Sequence, residues 1–257
     1  MEEVISRDGT RIAYERSGDG PPVIIVGGAF ADRNTGAALA EALAAHFTVV
    51  TYDRRGRGAS GDTPPYAVER EIEDLEALNE ALGGSAALYG NSSGGCLALE
   101  VAARNPLPRV AVFEPPYRFD EGPRPDPELR ERLERLASEG RRAETVEHFL
   151  TAAMNIPPQG VEHMRQMPMW PGLEAISHTL PYDAALVGDR SWPADRMAGL
   201  KSPALVIAST ASAPWLRHTA EKAAEALPAG EHASVDGPPH DAGPDELEPV
   251  LVPFLRG

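Results

Sequence analysis

Apolar positions along the chain follow two rhythms. Short runs are apolar at nearly every position: Val23-Ile24-Ile25-Val26, Phe47 to Tyr52, Ala86 to Tyr89, Arg109 to Phe113 and Ala204 to Ala208. Such runs suit strands buried on both faces. Between them lie segments whose apolar residues recur three or four apart, the helical period. These are Thr35 to Ala45, with Leu39 and Leu43, and Val68 to Leu82, with Ile72, Leu75 and Leu78. A third begins at Cys96 and stops at Asn105-Pro106, and Gly83-Gly84 marks the end of the second. Val4 to Ser6 and Arg11 to Glu15, joined by Asp8-Gly9-Thr10, read as two further short strands. Strand alternating with helix predicts an α/β fold with a mostly parallel, doubly wound sheet and helices on both faces.

The alternation breaks after Glu114-Pro115-Pro116 and resumes with Ala204 to Ala208, a helix over 215–227, a strand near 231–235 and a last helix over 245–255. The interval is rich in proline, carries helical stretches near 128–138 and 143–154, and collects Met164, Met167, Met169 and Trp170. A doubly wound sheet is not expected to be interrupted in this way. An inserted helical cap over residues 117–198 is therefore expected, leaving 1–116 and 199–257 as the core. The methionines and the tryptophan are read as either pocket-shaping or plain core.

Parallel sheets bind ligands beyond the carboxyl ends of their strands. Ala29, Ser92, Glu114 and His240 all follow such ends, which predicts one shared site. Gly90-x-Ser92-x-Gly94, set between a strand and a helix, is the pattern of a sharp turn that exposes a serine hydroxyl at a helix N-terminus. A serine needs a base to become a nucleophile, and His240, between the last strand and the last helix, is the expected one. The loop Ser209 to Pro214 holds no carboxylate, so Glu114 is the expected acid that orients the histidine. A structural carboxylate paired with Arg118, or a serine–histidine dyad without an acid, are the alternatives. The N–H groups of Ser93 and Ala29 are expected to hold the oxyanion, with Phe30 the alternative to Ala29. Asp53 to Ser60 is glycine-rich but lacks a phosphate-loop lysine, so it reads as a turn and not a nucleotide site. No metal or cofactor is expected.

Composition narrows the partners. The 257 residues carry a net charge of −15, which disfavours nucleic acid and anionic membranes. The lone cysteine, Cys96, excludes an intramolecular disulfide and reads as a packed hydrophobe. No secretory-type segment or bilayer-length apolar run is present, so a cytoplasmic location is expected, with a homodimer left open.

With these residues in view, the chain resembles the α/β-hydrolase superfamily. The matching motifs are Val26-Gly27-Gly28-Ala29-Phe30, Asp53-Arg54-Arg55-Gly56-Arg57-Gly58-x-Ser60, Gly90-Asn91-Ser92-Ser93-Gly94-Gly95 and Gly237-Pro-Pro-His240. Gly27 stands where many members have histidine. Within the superfamily the chain also resembles zearalenone-type lactone hydrolases, with a similar Ser-Ser-Gly elbow and a triad glutamate after the sixth strand, here Glu114. Their cap tryptophan maps onto Trp170, which the resemblance makes a substrate contact together with Phe30. The implied activity is a cofactor-free serine hydrolase cleaving a carboxylic ester or lactone of an apolar small molecule through an acyl-enzyme. A thioesterase or other acyl hydrolase, or a slow-turnover ligand-binding receptor of the same fold, are the competing readings.

Overall fold

The computed structural model describes residues 1–119 and 122–257; residues 120 and 121, within the expected cap, lie outside the described residues. The strands are β1 (Glu2–Ile5), β2 (Arg11–Ser17), β3 (Pro22–Val26), β4 (Thr48–Tyr52), β5 (Ala87–Asn91), β6 (Val110–Phe113), β7 (Ala204–Ser209) and β8 (Gly230–Val235). The helices of the sheet layers are α1 (Ala37–Leu43), α2 (Val68–Ala81) and α3 (Ser93–Arg104). Between β6 and β7 come α4 (Leu129–Ser138), α5 (Arg142–His148), α6 (Pro158–Arg165), α7 (Trp170–Ala175), α8 (Leu180–Val187) and α9 (Ala194–Met197). The chain closes with α10 (Pro214–Ala226) and α11 (Pro244–Arg256).

The eight strands lie in the order β1-β2-β4-β3-β5-β6-β7-β8. β1 and β2 pair antiparallel at one edge, and the pairs from β4 to β8 are parallel. The mostly parallel α/β-hydrolase architecture expected from the sequence is what the chain adopts. Side chains alternate across the sheet, as a pleated strand requires. Ile24, Val26, Leu88, Val110, Val112 and Val206 join one core layer, beneath α2, α3 and α10. Val23, Ile25, Tyr89, Phe113 and Ile207 join the other, beneath α1 and α11. Each buried aliphatic side chain contributes about 1.5–3 kcal/mol relative to exposure, so a strand apolar at successive positions holds both layers at once.

Strand order also locates the ligand crevice. The chain leaves β3 toward β4 on one side and returns to β5 on the other, and a sheet opens at such a reversal. Val26 pairs with Gly90 at that point, so the segments leaving β3 and β5 start side by side.

The region between β6 and β7 is more helical than its sequence suggests. Pro158, Pro171 and Pro181 punctuate the hydrophobic pattern, yet each sits in the first turn of a short helix, where its missing N–H is not needed. The stretch expected as one helix over 143–154 changes character at Phe149, where a π-helical turn (Phe149–Ala153) follows α5. Two small apolar clusters hold these helices together, and Phe30 from the loop after β3 packs into both. Among the described residues, no helix is long and apolar enough to cross a membrane.

Candidate active site

The elbow after β5 is built by close approach of backbone to backbone. A Cβ on Gly94 would fall 2.2 Å from the Val26 carbonyl oxygen, and one on Gly28 would fall 3.1 Å from the Ser92 Cβ. Only glycine lets α3 and the loop after β3 meet so tightly. Ser92 itself adopts φ 54°, and its amide donates to the Phe113 carbonyl at 2.9 Å. The turn holds its hydroxyl at the head of α3, on the wall of a cavity of about 520 Å³.

The structure brings Ser92, His240 and Glu114 together. His240 Nε2 lies 3.0 Å from Ser92 Oγ, and His240 Nδ1 lies 2.6 Å from Glu114 Oε2. A carboxylate can only accept, so Nδ1 carries the proton and Nε2 is left to accept from the serine hydroxyl. Glu114 is wholly buried at the end of β6, while the His240 side chain is 28% exposed. The other Glu114 oxygen accepts the Ser209 amide at 2.8 Å. Thus the end of β6 supplies the carboxylate beside His240, and the end of β7 and the loop after it, which carries none, support both residues. Ser209 steadies Glu114, and Ser212 Oγ accepts the His240 amide at 2.7 Å.

Backbone strain marks the same place. Six non-glycine residues among those described have positive φ: Phe30, Ser92, Glu114, Asn155, Arg190 and His240. All but Glu114 line the cavity, and Glu114 holds His240. Such conformations cost on the order of 1–3 kcal/mol each and persist where the surroundings impose them, often at ligand sites.

Ala29 and Ser93 both line the cavity, beside Ser92. Among the described residues neither backbone N–H donates to a protein acceptor, as expected for a loop tip and the first turn of a helix. Phe30 lines the cavity too and meets Phe149 edge to face, with ring centroids 5.4 Å apart. Trp170 is placed differently. It is 5% exposed, packs among Val146, Leu150, Val161 and Leu173, and donates its indole N–H to Glu174. It is absent from the cavity wall, where Trp215 of α10 stands instead. Met167 and Met169 point to solvent, and of the methionines Met154 lines the cavity.

A second polar network lies beneath the first, and the sequence reading missed it. Arg54, Arg55 and Arg57, in the loop after β4, are each no more than 2% exposed. Arg54 is held by Glu71 of α2 through two contacts of 2.6 Å and reaches Asp183 of α8 at 2.7 Å. Arg57 donates to the other Asp183 oxygen at 2.6 Å, and to the Gly28 and Ala31 carbonyls at 2.6 and 3.0 Å. Ser93 Oγ donates to Asp183 at 2.7 Å. One buried carboxylate therefore ties α8 to the elbow and, through Arg57, to the loop that bears Ala29. Burial pushes the Asp183 carboxyl up, but Arg57 and Arg54 outweigh it and hold the group below the usual range. The same opposition, burial against Arg54, leaves Glu71 lowered. The signal was present in the sequence as carboxylates at 71 and 74 on α2, opposite a run of arginines.

Cys96 is buried in α3, and burial pushes its thiol up to about 12, which leaves it protonated and inert at neutral pH. Among the described residues no cluster of His, Cys, Asp and Glu could hold a metal ion.

Comparison with known proteins identifies the family of the fold. Residues 20–249 match the model described as the Alpha/beta hydrolase family. The crystal structure of an alpha/beta hydrolase from Sphaerobacter thermophilus is 52% identical, superposes with a TM-score of 0.93, and is matched over 98% of this chain and 99% of that one. A putative carbamate hydrolase, RutD, from Azorhizobium caulinodans is 25% identical over 252 residues, 94% of this chain and 93% of its own. The uncharacterized hydrolase YraK of Bacillus subtilis is 34% identical over 102 residues, only 38% of either protein.

Proposed function

This chain belongs to the alpha/beta hydrolase family, and from that premise we propose that it is a serine hydrolase cleaving a carboxylic ester or lactone of a largely apolar small molecule. The reading rests on one observation: the relay from Ser92 Oγ through His240 to Glu114, with gaps of 3.0 and 2.6 Å. As Ser92 Oγ attacks the carbonyl carbon, His240 Nε2 takes the hydroxyl proton, and the Ala29 and Ser93 amides receive the developing oxyanion. Glu114 stabilises the imidazolium that forms. Collapse expels the alkoxide, which His240 protonates, and leaves an acyl-enzyme. Water, deprotonated by the same nitrogen, then releases the acid and restores Ser92. Residues 117–198 act as a cap that shapes the cavity and limits water.

The lactone option, drawn from the resemblance to zearalenone-type enzymes, keeps Glu114 in its support and loses Trp170, which stands away from the cavity. A panel of p-nitrophenyl esters, macrolactones and thioesters ranks the leaving groups. The decisive measurement is labelling by a fluorophosphonate probe, read by intact mass. The wild-type protein should gain one adduct and Ser92→Ala none, with ester turnover falling by roughly 10⁵-fold or more. Equal labelling of the two proteins would end the proposal.

A further inference from the structure

Arg190 is a buried cation that the relay does not use. It is 7% exposed and lines the cavity shared by Ser92 and His240. Its side chain makes one hydrogen bond among the described residues, from Nη2 to the Ala153 carbonyl at the end of the π-helical turn. No carboxylate among those residues lies within ion-pairing distance of it. The contrast with Arg54, Arg55 and Arg57 is plain, since each of those buried guanidiniums faces at least one carboxylate at 2.6–2.8 Å. A guanidinium carries five donors and keeps its charge in proteins. Burying it without a counter-ion is costly.

Among the described residues, the surroundings hold that cation in place without a carboxylate to neutralise it. Its guanidinium lies 5.9 Å from the centroid of the Trp215 ring, whose electron-rich face tolerates a cation. The backbone at Arg190 has φ 64°, just after Gly188 at φ 57°, so the chain leaving α8 is bent at a conformational cost to bring this side chain inward. The acid that lines the cavity among the described residues, Asp183, already accepts from Arg54, Arg57 and Ser93. Among the described residues the cavity thus combines apolar walls, the Ser92 hydroxyl and a planar cation without a paired carboxylate.

Resting on the serine-hydrolase reading, we propose that Arg190 binds a carboxylate of the substrate, so that the ester or lactone cleaved also bears a free carboxylate away from the scissile carbonyl. The forked guanidinium matches a carboxylate through two parallel hydrogen bonds. A phosphate dianion would call for a second cation, and Arg54 and Arg57 are already paired with Glu71 and Asp183.

The test compares methyl half-esters of glutaric and adipic acid with the corresponding dimethyl esters, acid release being followed by pH-stat. Wild-type protein should prefer the half-esters in kcat/KM by at least about tenfold. In Arg190→Gln that ratio should collapse by about tenfold to a hundredfold, and Arg190→Lys, which keeps the charge and loses the fork, should fall between. A wild-type protein indifferent to the carboxylate, or a Gln variant that keeps the preference, overturns the proposal. The wild-type comparison stands even if both variants misfold. Calorimetric titration with glutarate supplies a readout free of turnover, with binding expected in wild type and lost in Arg190→Gln. Absence of binding to wild type also overturns the assignment. Dimethyl-ester hydrolysis without half-ester preference would sink the carboxylate site alone. Glutarate binding without Ser92-dependent turnover would sink the hydrolase reading alone.

Discussion

Ser92 and Ser93 are neighbours in sequence, yet their hydroxyls enter two networks of different character. Ser92 meets a histidine ring that is 28% exposed on the cavity, and its own backbone is held at φ 54°. Ser93 donates to Asp183, which is 1% exposed and fully engaged by two arginines. The first network has one carboxylate, one titratable ring and a hydroxyl whose proton can leave. The second has charges of both signs in balance, with each Asp183 oxygen receiving a guanidinium. Access and strain go with the proposed nucleophile, and complete pairing goes with the group that holds it in place. Both networks begin at the same turn, so the reactive one inherits its geometry from the rigid one.

The sharpest way to break this comparison is at the acid of the first network. Glu114→Gln preserves shape and the Ser209 contact but leaves His240 Nδ1 facing an amide that can present its donor, favouring the wrong tautomer. In a working relay this should lower kcat by about 10⁴-fold, with little change in thermal midpoint. Steady-state kinetics on a p-nitrophenyl ester beside a thermal melt separates the two effects. Near-normal turnover would move Glu114 to a structural role and favour a serine–histidine dyad.

The second network should answer differently, losing stability first and rate second. Asp183→Asn leaves Arg57 and part of Arg54 without a counter-charge in the interior, an imbalance that costs about 3–5 kcal/mol. Because Arg57 also holds the Gly28 and Ala31 carbonyls, the loop bearing Ala29 should loosen, lowering kcat about tenfold to a hundredfold with KM less affected. Acid sharpens the assignment. The folded-state value of Asp183 lies below its unfolded one, so its contribution is present in full above about pH 4 and fades as pH falls through the lower folded value. Urea denaturation at pH 7, 5 and 3 should therefore show a constant gap between wild type and Asp183→Asn at the two higher values and a smaller one at pH 3. A gap that widened toward acid would contradict the ion-pair account.

The same contrast explains what could be seen from sequence. Buried parallel strands announce themselves because nearly every position is apolar, and the rim of such a sheet is where loops meet ligands. From this the positions of Ser92, Glu114 and His240 on one rim were legible, as was the absence of a carboxylate between 209 and 214. The arginine network was not. Asp53-Arg54-Arg55-Gly56-Arg57 reads as a turn; Glu71 and Asp74 hint at partners for Arg54 and Arg55, but pairing across 126 residues, as between Arg57 and Asp183, leaves no local pattern. The helices between β6 and β7 were partly hidden for a related reason. The stretches near 128–138 and 143–154 are visible, but α6, α7 and α8 are short and carry proline in the first turn, so neither length nor periodicity reveals them.

That blind spot makes the smallest prediction the most instructive for the cap. Trp170 and Trp215 are both large aromatics of the C-terminal half, but they differ in what they face. Trp170 is enclosed by Val146, Leu150, Val161 and Leu173 and pinned by Glu174, whereas Trp215 contributes its ring to the cavity wall and to the face beneath Arg190. Trp170→Phe should therefore cost about 1–2 kcal/mol of stability through lost packing and a lost hydrogen bond, while KM for a p-nitrophenyl ester stays within about twofold. Trp215→Leu should raise KM several-fold, about 1 kcal/mol of binding, with a smaller change in the thermal midpoint. If Trp170→Phe altered KM and Trp215→Leu did not, α7 rather than α10 would form the substrate wall, and the helices between β6 and β7 would have to close over the site in an arrangement other than this one.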